Sequence, residues 1–260
     1  MASRKKRRSP VSRRLKIAAA TCLSLAVALV PGVLFVQQQE KMAQAAAEAA
    51  SYTPRPVARS TSTATPPAVQ VVAFVGDSYS AGAGASSSVN SWTSLLSQEL
   101  EWEEVNLARG GTGYSVAATD GQGACGLDYC PSYLEMIESV VQAKPAGVLV
   151  AGGRNDLRVE SSEEMHDAVR SFYLRLRAAL PDATIWAVNP LWDDGAPPPA
   201  IEELSVVVRE SVESVGGVYV DVGQPLRGAP ELVASDSVHP SDRGHAAIST
   251  AVAAELETTR

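Results

Sequence analysis

From residue 70 onwards, apolar positions follow two patterns that alternate along the chain. Val71-Val72-Ala73-Phe74-Val75 is an apolar run without a polar break, as expected of a strand buried on both faces. Ser91 to Leu100 then carries Trp92, Leu95, Leu96 and Leu100 at helical spacing. Glu104–Ala108 reads as a second strand, Tyr133–Gln142 as a helix and Ala146–Ala151 as a third strand. Ser161–Leu180 is a long amphipathic helix with Val169, Phe172, Tyr173, Leu176 and Leu180 on one stripe. Ala183–Val188 predicts a fourth strand, Ile201–Val215 a helix, Val218–Val222 a fifth strand and Pro240–Leu256 a closing helix. Strands alternating with helices imply a central parallel sheet covered on both faces, a three-layer α/β/α sandwich. In such sheets ligands bind beyond the carboxyl ends of the strands. The residues just after each strand therefore carry most of the functional information.

The N-terminal part has a different pattern. Residues 1–16 contain eight Lys and Arg and no acid. Residues 17–36 follow with no charge at all. At 1.5 Å per residue a helix of that length spans roughly 30 Å, the thickness of a bilayer core. The basic block is expected to stay in the cytoplasm and the remainder to lie outside. Ala43-Gln44-Ala45 resembles a leader cleavage site, whereas the length of the apolar run favours an uncleaved anchor. The protein is thus expected to be membrane-anchored through this segment, or secreted after cleavage. Residues 37–69 are rich in Ala, then in Pro, Ser and Thr, and read as a linker to a folded domain at 70–260.

Composition narrows the possibilities. The chain of 260 residues is 45% hydrophobic and 20% charged, which excludes a wholly disordered protein or a long coiled coil. Its net charge of −7 hides an asymmetry: residues 70–260 hold 11 Lys and Arg against 27 Asp and Glu. A phosphate backbone would be repelled by such a domain, so nucleic-acid binding is not expected. The domain is expected to be a monomer.

Three turns and one short motif carry candidate chemistry. Gly76-Asp77-Ser78 follows the first strand, where Gly76 permits a sharp turn and Ser78 opens a helical turn above the sheet. There Ser78 is either a nucleophile or a helix cap. Arg109-Gly110-Gly111 follows the second strand and Gly152-Gly153-Arg154-Asn155-Asp156 the third. Both are glycine turns where backbone can approach a ligand, or ordinary strand-to-helix connections with a capping Asn155 or Asp156. Asp236-Ser237-Val238-His239 precedes the last helix, and its spacing lets Asp236 reach the His239 ring. Of the other histidines, His166 lies on a polar helix face, and His245 sits in the opening turn of the last helix as a packing or capping residue.

Gly76-Asp77-Ser78, Gly111, Gly153-x-Asn155-Asp156 and Asp236-x-x-His239 together resemble the four blocks of the SGNH (GDSL-like) hydrolases. They stand in the family's order, and the resemblance covers about Val71 to Ala253. Tyr79 departs from the pattern, since the short signature usually has Leu there. The resemblance implies a flavodoxin-like sandwich and a serine esterase. It makes Ser78 the nucleophile, His239 the base and Asp236 the residue that orients His239. It also implies an oxyanion hole formed by the backbone N–H groups of Ser78 and Gly111 and the side-chain amide of Asn155. Such donors suit acyl transfer from an ester and need no metal or organic cofactor. The substrates implied are acyl esters of lipids or O-acetylated sugars. An O-acyltransferase using the same acyl-enzyme, and a catalytically silent surface-binding module, are the alternatives.

Two other features bear on the reading. Gly121-Gln122-Gly123-Ala124-Cys125-Gly126 matches G-x-G-x-x-G but neither follows a strand nor opens a helix, so no dinucleotide site is expected there. Outside the cytoplasm, Cys125 and Cys130 are expected to form a disulfide. Trp186, Trp192 and Tyr173 read as core residues rather than as the walls of a groove.

Overall fold

A computed structural model describes residues 69–119, 125, 127–158 and 161–258. The expected segments at 1–16 and 17–36, and nearly all of the linker, lie outside the described residues. No helix among the described residues is long and apolar enough to cross a membrane.

The strands are β1 (Gln70–Gly76), β2 (Trp102–Asn106), β3 (Ala118–Thr119), β4 (Tyr129–Cys130), β5 (Gly147–Ala151), β6 (Thr184–Val188) and β7 (Val218–Val220). Five of them form one parallel sheet in the order β2-β1-β5-β6-β7. The remaining two, β3 and β4, make a small antiparallel ribbon that no periodicity predicts. The helices are α1 (Trp92–Glu99), α2 (Tyr133–Gln142), α3 (Ser162–Ala179), α4 (Pro199–Ser214) and α5 (Asp242–Thr258). Side chains alternate across the sheet. Ala73, Val75, Val148, Val150, Ile185 and Ala187 share one apolar cluster with α2, α3 and α4. Val72, Phe74, Leu149, Ala151, Val188 and Val220 share the other with α1 and α5. Burying each large side chain in these layers contributes roughly 1.5–3 kcal/mol. The result is the α/β/α sandwich that the alternation of elements implies.

The helix starts are chemically marked. Ser132 and Glu135 form a reciprocal capping box on α2, and Ser161 and Ser91 accept N–H bonds from Glu164 and Ser94 at the starts of α3 and α1. Pro199 opens α4. The second strand begins two residues earlier than its apolar pattern indicates. Its ladder nevertheless runs on toward the site, because the N–H groups of Leu107 and Arg109 reach the carbonyls of Phe74 and Gly76 at 2.9 Å each. Trp186 stacks on Trp102 and Tyr173 is fully buried against Tyr114, as core residues do.

This strand order places a topological switch between β1 and β5. The chain leaves β1 toward β2 on one side and later enters β5 on the other. The crevice beyond the carboxyl ends of these two neighbours is where a doubly wound sheet binds its ligand.

Candidate active site

Gly76 ends β1 at that crevice. A Cβ there would overlap the carbonyl oxygen of Ala151 at the end of β5, so only glycine lets the two strand ends close up. The reason for glycine is this close approach rather than the freedom to turn. The next residues make a single turn, with Ala81 N–H donating to the Asp77 carbonyl at 2.9 Å, and α1 begins only at Trp92. The capping interaction belongs to Asp77, whose Oδ1 accepts the Tyr79 N–H at 3.0 Å. The Ser78 side chain is left to face elsewhere. Ser80 and Asn106 fasten the turn from below: Ser80 Oγ donates to Ala151 O at 2.8 Å, and Asn106 Nδ2 donates to Ser80 O at 2.8 Å.

His239 meets the serine. Its Nε2 lies 2.9 Å from Ser78 Oγ, and its Nδ1 lies 2.6 Å from Asp236 Oδ2. Ser237 adopts a left-handed backbone (φ 60°), which folds Asp236 back so that Oδ1 also accepts the N–H groups of Val238 and His239 at 3.0 and 2.9 Å. The bonds from the His239 backbone and ring, and from the Val238 N–H, hold the Asp236 carboxyl down at about 2. An ionised Asp236 draws the imidazole proton to Nδ1. Nε2 then presents a lone pair to the serine hydroxyl, the arrangement of a general base.

Gly111 and Asn155 are linked through Thr112 and Arg158. Gly111 has a left-handed backbone (φ 77°). Asn155 lies in the short 3₁₀ turn Arg154–Arg158 after β5, and its Nδ2 donates to the Thr112 carbonyl at 2.9 Å. Arg158 donates to the Gly111 carbonyl. Asp156 is buried, and its carboxylate accepts the Tyr114 and Ser115 N–H groups at 2.8 and 3.1 Å. The turn after β5 therefore grips the loop after β2 at four positions, 111, 112, 114 and 115. Among the described residues, no backbone carbonyl takes up the N–H of Ser78 or Gly111.

Sequence reasoning missed a second cluster. The Tyr79 ring is buried, and its hydroxyl donates to the Val238 carbonyl and accepts from Arg154 Nη1 at 2.9 Å. Arg154 pairs with Asp193 at 3.3 Å and lies over the Trp192 ring at 4.0 Å. Trp192 is half-buried under Arg154 and outside both apolar clusters, contrary to its reading as core. The only advance sign of this cluster was Tyr79, where the family pattern has an apolar residue. His166 also departs from expectation: it is half-buried, and its Nε2 lies 3.0 Å from Glu203 of α4 instead of facing solvent. His245 packs and bonds, accepting from the Trp92 N–H and facing the Ala83 carbonyl. Cys125 and Cys130 are joined by a disulfide with Cα atoms 6.1 Å apart.

The chain is similar to known proteins. Residues 74–247 match the model of the GDSL-like lipase/acylhydrolase family. A GDSL lipase of Mycobacterium tuberculosis is 28% identical over 181 residues, covering 67% of this chain and 76% of that protein. Among solved structures, a psychrotrophic esterase from Pseudoalteromonas, described as inhibited by monoethylphosphonate, superimposes with a TM-score of 0.57 at 17% identity, covering 73% of this chain and 98% of its own. A salicylyl-acyltransferase from a tetracycline biosynthetic pathway does so with a TM-score of 0.56 at 18% identity, covering 75% and 56%. At these identities the two structures speak to the fold alone. The family match extends over most of the domain, from within β1 into α5, and so includes every turn that builds the site. The chain thus belongs to the GDSL-like lipase/acylhydrolase family and is an SGNH-type serine esterase.

Proposed function

We propose that the enzyme hydrolyses acyl esters outside the cytoplasm, with Ser78 as nucleophile, His239 as general base and Asp236 as its orienting carboxylate. One observation carries the reading: a single imidazole lies within hydrogen-bond reach of both the serine hydroxyl and the carboxylate. Ser78 Oγ attacks the ester carbonyl carbon while its proton passes to His239 Nε2. The tetrahedral intermediate collapses, and the departing alcohol takes that proton. A water molecule then attacks the acyl-enzyme, gives its proton to His239, and the acid is released as Ser78 recovers its hydrogen. The N–H groups of Ser78 and Gly111 and the amide of Asn155 stabilise the oxyanion. The basic segment 1–16 followed by the uncharged segment 17–36 supports the extracytoplasmic placement.

The test is a panel of p-nitrophenyl esters from acetyl to palmitoyl, paired with fluorophosphonate labelling. Turnover should be lost in Ser78→Ala without loss of folding, and the label should sit on Ser78. Labelling at another serine would reassign the nucleophile. Cleavage of short chains alone would point to O-acetyl substrates, and cleavage of long chains to lipids. Fast acyl delivery to added sugar hydroxyls, with little hydrolysis, would make the enzyme a transferase.

A further inference from the structure

The loop that carries His239 is thinly attached. Residues 235–238 are exposed. Most of the loop's hydrogen bonds are internal: Ala234 N–H to the His239 carbonyl at 2.7 Å, Ser237 N–H to the Ala234 carbonyl at 3.0 Å, and those of Asp236. Among the described residues, only two side chains from elsewhere bond to residues 234–239. One is Ser78, which must exchange its bond during every turnover. The other is Tyr79, the next residue along, through the Val238 carbonyl.

We propose that Tyr79 is a positioning residue, a strut that holds the His239 loop against the nucleophile turn, and that Arg154 acts through it. The inference rests on the Ser78–His239–Asp236 reading above. A phenol has one proton to give and lone pairs to receive with. Here the proton goes to Val238 O, and the lone pair takes a hydrogen from Arg154 Nη1. Arg154 is itself held from two sides, by Asp193 and by the face of Trp192. The chain of contacts therefore runs from the turn after β6, through the turn after β5, to the residue before the general base. Burial keeps the phenol protonated, so it remains a donor throughout the working pH range. The tyrosine and histidine rings lie 6.0 Å apart, centroid to centroid, so the strut flanks the imidazole without bonding to it. Ser78 Oγ alternates between a free hydroxyl and an oxygen bonded to the acyl carbon, whereas the Tyr79 bond lasts through the cycle. It keeps Nε2 in place when the serine is acylated and no longer holds it.

The experiment uses the full chain and the variants Tyr79→Phe, Arg154→Met and the double variant. Tyr79→Phe keeps the ring and deletes only the hydroxyl. Its kcat should fall about tenfold, the loss of one hydrogen bond that aligns the base, with KM nearly unchanged. Arg154→Met should cost less, and its cost should vanish in the Tyr79→Phe background, because both act through one contact. In proton NMR, the downfield signal of the His239 Nδ1–H should broaden in Tyr79→Phe as the loop opens to solvent, an effect that a general loss of stability would not give at temperatures well below the melt. Additive effects, or a kcat and downfield signal equal to the parent's in a Tyr79→Phe protein that still labels at Ser78, would overturn the strut. Failure of the parent itself to label at Ser78 would overturn the underlying reading instead.

Discussion

Asn155 has two N–H groups on its amide, and the loop it faces takes one of them. The bond to the Thr112 carbonyl fixes the side chain next to the loop after β2 and leaves the second hydrogen without an acceptor among the described residues, as the proposed oxyanion role requires. Asn155→Ala should therefore do two things. Removing the proposed oxyanion donor should lower kcat on the order of 10²–10³-fold with a small effect on KM. Removing the tether should cost about 1 kcal/mol of stability. Ester kinetics and a denaturant melt on the same samples separate the two; a shifted melt with unchanged kcat would leave only the tether. At this scale, legibility depended on sequence distance. Asp236 and His239 were readable as a pair because three residues bring a carboxylate to a ring within one turn. The Tyr79–Arg154–Asp193 contacts join positions 75 and 39 residues apart, and nothing local announces them. That Asp77 rather than Ser78 caps the turn also needed coordinates, because the two residues are adjacent and either could serve.

At the scale of elements, α5 is tied by His245 to the start of α1 and to the turn after Ser78. The ring accepts the first N–H of α1 at 3.3 Å through Nδ1, and its Nε2 lies 3.1 Å from the Ala83 carbonyl, so the neutral tautomer with hydrogen on Nε2 satisfies both. Burial pushes the imidazole below its ordinary value, with Asp242 opposing and His239 assisting. The unfolded chain therefore binds this proton before the folded one does. The His245 contribution to stability is complete above the ordinary imidazole value, about 6.5, and is lost as pH falls through it. In denaturant titrations at pH 7.5 and 5.5, the parent should lose stability that His245→Asn does not lose; parallel behaviour would show that His245 does not titrate in this window. Element identity was readable wherever a period was long enough to register. α2 falls on the residues its pattern indicates, and α3 differs by one residue at each end. The β3–β4 ribbon consists of two-residue strands, too short for any period, and it was missed even though Cys130 lies in it.

For the molecule as a whole, alternation of strand and helix sufficed for the layers and for the end of the sheet that holds the site. It left the strand order open, since a helix returns the chain to the sheet edge without saying which edge. The order found puts β1 beside β5, and this adjacency buries Asp77 at the sheet's carboxyl end. Burial raises its carboxyl to about 6, against the opposing pull of the Tyr79 N–H and the Arg154 charge. A carboxyl whose folded value exceeds its unfolded one binds protons more tightly when folded. Its contribution to stability is greatest at low pH and declines as pH rises from about 4 to about 6, then stays flat. At neutral pH the domain therefore carries a buried charge beside Ser78 at a cost of roughly 3 kcal/mol, taking 1.36 kcal/mol per unit. Asp77→Asn keeps an oxygen for the Tyr79 N–H and has no charge to bury. It should be more stable than the parent at pH 8 by up to about that amount, and the advantage should shrink toward zero near pH 4. This slope is opposite in sign to that of His245, so the two variants should bend the stability profile in opposite directions. Guanidinium melts of the parent and Asp77→Asn at half-unit steps from pH 4 to 8 test this. A constant offset across that range would mean that the two side chains differ in packing alone, and that Asp77 is not held against its charge.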